Sequence, residues 1–209
     1  MIDSYFTIEN ESENELVIQR SRFIAFSFIV NTEEQAYQKL SAVKKAHNSA
    51  THNCYAYLLS PDDNITRNSD DKEPAKTAGY PILEAIKGKT TYNTMVVVTR
   101  YFGGIKLGTG GLSRAYGESA SLVLDKSGIV KQIYSAKITL KTDYNFLSAT
   151  EKTINSLGTV TDRQFDKDIK ITAVCPAIEL DNLKNKLNEI TNGDADVTIT
   201  DYFYHPYKT

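Results

Sequence analysis

Two periods of apolar and polar positions alternate along this chain. Residues 23–30 are rich in apolar and aromatic side chains and read as a strand. Thr32 and Gln35 then form a capping box, and Ala36, Leu40 and Val43 follow at helical spacing, predicting a helix that ends near His47. Residues 52–59 read as a second strand. Residues 61–77 are the longest polar stretch, carry four Asp, and read as a loop. Pro81 marks a helix start, Ile82, Leu83 and Ile86 supply its apolar face, and Gly88 ends it. Residues 95–101 read as a strand. A glycine-rich loop follows, and then a helix over about 111–126, stopped by Gly128. Its inner face is Leu112, Ala115, Tyr116, Ser119, Ala120 and Val123, small enough for close packing on a sheet.

Beyond Ser135 the elements follow a different order. Residues 137–141 alternate as a strand. Asp143 caps a helix carrying Phe146, Leu147, Ile154 and Leu157, which Gly158 stops. Residues 160–165 and 169–174 read as a hairpin turning at Asp166 and Lys167. Leu180, Leu183, Leu187 and Ile190 mark a second helix, and Val197, Ile199 and Phe203 a last strand. The order βαββαβ is the ferredoxin-like plan. The expected fold class is α+β in two domains, residues 1–135 and 136–209, the second with two helices on one face of a four-stranded sheet.

Composition narrows the function classes. At 209 residues, 41% hydrophobic and 24% charged, the chain is ordinarily globular, and a net charge of −2 supplies no global field toward nucleic acid or membrane. Binding to either must come from a local patch. The acidic N-terminus lacks the apolar core of a signal peptide, and no run approaches the ~20 apolar residues of a membrane helix. Cys54 and Cys175 are too few for a disulfide framework and read as free thiols in a cytoplasmic protein.

The densest signal is the segment TRYFGGIKLGTGGLSRAYG at residues 99–117. It holds six of the chain's 11 glycines. A strand that enters a glycine loop and leaves as a helix brings backbone N–H groups and a positive helix end to whatever lies there. Between Ala85 and Gly117 there is no acidic residue, and Lys87, Lys89, Arg100, Lys106 and Arg114 stand among Tyr92, Tyr101, Phe102 and Tyr116. Cations interleaved with aromatics suit phosphates and bases. The competing reading is a tight structural turn with solvated cations. The loop is not a Walker A loop, because Thr109-Gly110 stands where Lys-Ser or Lys-Thr is required. It also lacks the third glycine of the dinucleotide fingerprint.

The candidate ligand-binding set is Arg100, Gly103, Gly104, Lys106, Gly108, Thr109, Gly110, Gly111, Ser113 and Arg114, with Glu73 as a carboxylate able to pair with Arg100 or Arg114. No catalytic constellation and no cofactor is assigned. His52 and Cys54 share a strand face, and His47 lies nearby, but a buried thiol and a hydrogen-bonded histidine explain them better than zinc does. Asp70, Asp71 and Glu73 suit either a divalent cation or a solvated loop, the latter being commoner.

The glycine segment resembles the signature of the IMPACT family, in particular its bacterial YigZ type. Residues 20–25 (RSRFIA), 52–56 (HNCYA) and 69–81 (SDDKEPAKTAGYP) agree with it. The family usually has glycine where this chain has Lys72 and Lys76. The resemblance implies that the first domain folds as a ribosomal-protein-like α/β domain similar to domain IV of elongation factor G, and the second like domain V. It further implies regulation of translation under stress, with RNA, the ribosome or a translation factor as partner. The alternative is an enzyme or nucleotide-binding protein using residues 103–113 on a phosphorylated substrate.

Overall fold

The computed structural model describes residues 2–207, which divide into two compact units. The first is Tyr5–Lys131. The second is Gln132–Tyr207 with Ile2–Ser4. In chain order the elements are β1 (Ser4–Ile8), β2 (Ser12–Ile18), β3 (Ser21–Ile29), α1 (Glu33–Ala46), β4 (His52–Leu59), β5 (Ile65–Ser69), α2 (Gly79–Gly88), β6 (Thr94–Tyr101), α3 (Gly108–Ser127), β7 (Ile129–Thr142), α4 (Leu147–Leu157), β8 (Thr159–Phe165), β9 (Ile169–Pro176), α5 (Leu180–Ile190) and β10 (Asp196–Tyr207). The fold is α+β.

In the first unit five antiparallel strands take the order β2-β3-β6-β4-β5. β6 is central and buried on both faces, which is why Met95-Val96-Val97-Val98 is a continuous apolar run. Val96 and Val98 face a core completed by α2 and α3 through Ile82, Ile86, Ala115, Tyr116, Ala120 and Val123. Met95 and Val97 face the opposite core, completed by Ala36 and Val43 of α1. Period-2 alternation thus places one strand between two helical layers. Every residue of the expected inner face of α3 is buried. The Thr32 side chain accepts from Gln35 N at 3.2 Å, so the expected N-cap forms.

Three local expectations need correction. Residues 61–77 are not all loop, because β5 pairs along β4 within them. Its sequence, ITRNS, carries one large apolar side chain, so an edge strand here leaves almost no hydrophobic pattern. β1 and β2 occupy the acidic N-terminal stretch, where no strand was expected. The helix after the glycine loop begins at Gly108, three residues earlier than expected, so Gly108, Gly110 and Gly111 form its first turn rather than a loop.

The second unit has the strand order β10-β7-β9-β8, the ferredoxin-like arrangement of a βαββαβ chain. Ile138 and Leu140 of β7, Ile169, Ile171 and Ala173 of β9, Ile154 of α4 and Leu183 and Leu187 of α5 share one core. Both helices therefore cover the same sheet face.

Candidate anion-binding site

The site is built at the end of β6, where the chain leaves the sheet at Tyr101 and enters α3 at Gly108. Gly103 makes the exit possible. A Cβ there would lie 2.0 Å from the carbonyl carbon of Arg20 and 2.5 Å from Ser21 N. The chain is pressed against the β2–β3 turn, and only glycine fits. Gly103 N donates to Ser21 Oγ at 3.1 Å, which fixes the loop to that turn.

The last residue but one of β6, Arg100, points toward α2 and α3 and is 5% exposed. Its Nη1 lies 2.6 Å from Glu73 Oε1, both side chains being more than nine-tenths buried. The same oxygen accepts from the Tyr116 hydroxyl of α3 at 2.7 Å. Nη2 reaches Ser21 Oγ at 3.5 Å. The guanidinium carbon stands 5.5 Å from the Phe23 ring centre and 5.4 Å from that of Phe102. A buried charge survives only when paired and hydrogen-bonded, and this one has both a counter-ion and aromatic faces.

Glu73 is delivered by a segment folded around Asp70. One Asp70 carboxylate oxygen accepts from Ala78 N at 2.9 Å and Gly79 N at 2.8 Å, and the other from Lys76 N at 2.8 Å. α2 has no capping side chain of its own at Ala78, and Asp70 caps it from eight residues upstream. Asp71 accepts from Asn53 N at 2.7 Å, and its carbonyl accepts from His52 Nδ1 at 2.8 Å. A carbonyl only accepts, so His52 carries its proton on Nδ1. The Asp70 carbonyl accepts from Cys54 Sγ at 3.0 Å.

These contacts engage the groups that the sequence offered for other chemistry. Cys54 is fully buried, and burial pushes its thiol up to about 12, so it stays neutral. Burial also raises Tyr116 well above the phenol range, keeping its proton on the bond to Glu73. Among the described residues no three His, Cys, Asp or Glu side chains are grouped to hold a metal ion.

Beside the ion pair opens a cleft of about 300 Å³. Arg100 and Glu73 form its floor. Lys106, Gly108 and Thr109 line one side, and Phe102, Leu107, Leu112 and Pro74 give it apolar walls. The first turn of α3 lies at its edge with no side-chain cap. Its leading N–H groups have no intrahelical acceptor, and the helix end carries partial positive charge.

Of the sequence-derived set, the structure brings Glu73, Arg100, Lys106, Gly108 and Thr109 into one cleft, with Gly110 and Gly111 in the adjoining turn. Gly103 serves the approach to Arg20. Gly104, at φ 87°, is exposed and takes the turn conformation that favours glycine. Ser113 and Arg114 do not line the cleft. They lie in the next turn of α3, Ser113 half-buried and Arg114 exposed. Sequence reasoning did not assign the walls Pro74, Leu107 and Leu112, nor the capping role of Asp70. Leu112 belongs to the helical stripe of α3, whereas Pro74 and Leu107 lie outside regular elements and carry no periodic signal.

Against known proteins, the model of the Impact N-terminal domain matches residues 19–124. The IMPACT family member YvyE of Bacillus subtilis is 38% identical over 198 residues, spanning 94% of this chain and 91% of that protein. The chain belongs to the IMPACT family. A second IMPACT family member, YigZ of Escherichia coli, is 31% identical across 84% of this chain and 88% of its own length. A solved structure described as a hypothetical protein superposes with a TM-score of 0.64 at 27% identity, covering 96% of this chain and 99% of that one. The IMPACT domain match encloses every element of the site, from the turn at Arg20 through Asp70 and Glu73 to Tyr116.

Proposed function

We propose that this protein is a non-enzymatic regulator of translation that contacts RNA, or an RNA-bearing partner such as the ribosome, through the cleft at the N-terminus of α3. The observation that carries the reading is the juxtaposition of an uncapped helix end with Lys106 over the paired Arg100–Glu73 floor. Such an arrangement attracts anions. Family membership supplies the link to translation, which the resemblance of the glycine segment already implied. The absence of an activated nucleophile or paired general acid and base at the described site favours binding over catalysis. Glu73 is committed to two hydrogen bonds, and Cys54 is held neutral.

The test is RNA affinity as a function of salt, with sedimentation alongside ribosomal subunits as the cellular counterpart. Lys106 and Arg114 are both exposed and can be replaced without opening the core. Each phosphate contact on a single strand contributes about 0.7 to the log–log salt slope, so K106A/R114A should flatten it by about 0.7 through Lys106 in the cleft, and by about 1.4 where the strand continues to Arg114 in the next turn of α3. An affinity and slope unchanged in that variant would move the contact elsewhere. Failure of the wild-type protein to bind RNA at low salt would overturn the reading.

A further inference from the structure

Two features, one in the turn adjoining the cleft and one at its floor, are unexplained by the fold itself. The first is Gly110. It lies in the first turn of α3, its φ is not positive, and a Cβ added there would meet nothing within 4 Å. Glycine is the poorest helix former after proline, and here neither strain nor crowding demands it. The second is Arg100 Nε. Arg100 is 95% buried by its 5% exposure, it lines the cleft, and this nitrogen has no hydrogen-bond partner among the described residues. Buried donors are ordinarily satisfied. A ligand that approaches the backbone at Gly110 accounts for the first, and the spare donor of Arg100 lies beneath the floor, closed to solvent.

The walls say what else the ligand carries. Phe102 is 47% exposed, although the Arg100 guanidinium already lies 5.4 Å from its ring centre. Leu107, Leu112 and Pro74 continue the apolar surface. The charge of Glu73 offsets that of Arg100, which leaves Lys106 and the helix end as the net positive field. That suits a group of one or two negative charges attached to a flat, largely apolar body. A volume of about 300 Å³ is at the small end of ligand cavities, room for a single such unit and not for a duplex.

We infer that the cleft binds one unpaired nucleotide, its phosphate at the α3 N-terminus beside Gly110 and Lys106 and its base against Phe102. The inference rests on the anion-site reading above and adds base recognition to it. The nucleotide belongs to a single-stranded chain or is free, and the chemistry recognised is the same in both.

The experiment measures fluorescence-anisotropy binding at low salt of a five-residue oligoadenylate and of the same oligomer with abasic sugars, and competition by AMP and by inorganic phosphate. The base-bearing oligomer should bind roughly tenfold tighter than the abasic one, from stacking on one aromatic ring. Phe102→Ala should remove most of that difference and leave the abasic affinity unchanged, while Phe102→Tyr retains it. Gly110→Ala should weaken every probe while its unfolding midpoint stays level or rises, since the added methyl has open space and favours helix. AMP competing as well as the oligomer assigns the site to free nucleotides. AMP competing poorly assigns it to the chain. Equal binding of abasic and base-bearing oligomers, or an unchanged Phe102→Ala, overturns the inference while leaving a salt-dependent RNA contact intact. Loss of RNA binding only in K106A/R114A, with Gly110→Ala unaffected, has the same meaning.

Discussion

Glu73 and Arg100 lie 27 residues apart in sequence and form an ion pair of 2.6 Å with both side chains almost wholly withdrawn from solvent. Such a pair adds little net stability relative to apolar residues, but breaking it strands a buried charge. Arg100→Ala and Glu73→Ala should each lower unfolding stability by about 3–5 kcal/mol. The double variant should lose less than the sum. Urea unfolding of the three proteins checks this, and additive losses would show that the two charges are not coupled.

Asp70 offers an independent handle on the same segment. Three backbone N–H groups converge on its carboxylate. Asp70→Asn replaces one acceptor oxygen by an NH2 group that faces a donor. The expected loss is about 1–3 kcal/mol for the unsatisfied group. Amide exchange at Ala78 and Gly79 should accelerate beyond any change at Met95 or Val97 in the central strand.

Lys72 and Lys76 sit at φ 72° and 62°, in the left-handed region that L-residues other than Asn and Asp seldom enter. The IMPACT resemblance places glycine at both positions. Lys76→Gly should raise stability by up to about 1 kcal/mol, the relief of left-handed strain partly offset by the greater freedom of the unfolded chain. A lower unfolding midpoint would contradict this.

The glycines of the loop should separate into two classes. Gly103→Ala places a methyl group inside the Arg20 backbone and should destabilise by at least about 1–3 kcal/mol, the usual range for overpacking. Gly110→Ala should not destabilise at all. Thermal unfolding of the pair makes the comparison directly.

Alkaline pH should weaken the fold through Cys54. Burial raises its thiol from the ordinary value of 9.0 to about 12. A group whose native pKa is raised stabilises fully below its unfolded value, and that contribution is lost as pH rises toward the native one. The loss should therefore run from about pH 9 to about 12 and be smaller in Cys54→Ala, compared at each pH with its own neutral-pH stability. Reaction of Cys54 with a thiol reagent at pH 8 should be slow in the folded protein and fast in urea.

Much of this fold is legible from periodicity, because Leu112 to Val123 and Leu180 to Leu187 each keep a strict helical stripe against one core. The β2–β3 hairpin is not. Its two-residue turn uses Gln19 and Arg20 at φ 45° and 66°, where Asn-Gly or Asp-Gly would have announced the reversal. The first half of β2, Ser12 to Glu15, alternates small polar with charged residues at an edge, so only Leu16 and Ile18 at its end mark the face that packs on the core. At the candidate site, the density of glycine and the acid-free stretch single out the segment that lines the cleft. They could not distinguish Gly103, required by a backbone 2.0 Å away, from Gly110, required by nothing within 4 Å. The partnership of Glu73 with Arg100 was open against Arg114, and burial of the β6 end decides it. Capping of α2 from Asp70 has no fixed spacing, so no sequence window contains it.

The Ser21 hydroxyl accepts from both Gly103 N and, at longer range, Arg100 Nη2, so one side chain of the hairpin holds the loop backbone and the floor of the cleft together. The segment entering α3 is therefore fixed before any ligand arrives. Ordering a loop on binding ordinarily consumes a share of the interaction free energy, and here little remains to be ordered. Association should follow encounter without a slow rearrangement step, with a rate set by charge and salt. Ser21→Ala, which releases the tether without touching the cleft lining, should make that rate fall and the entropy of binding more unfavourable.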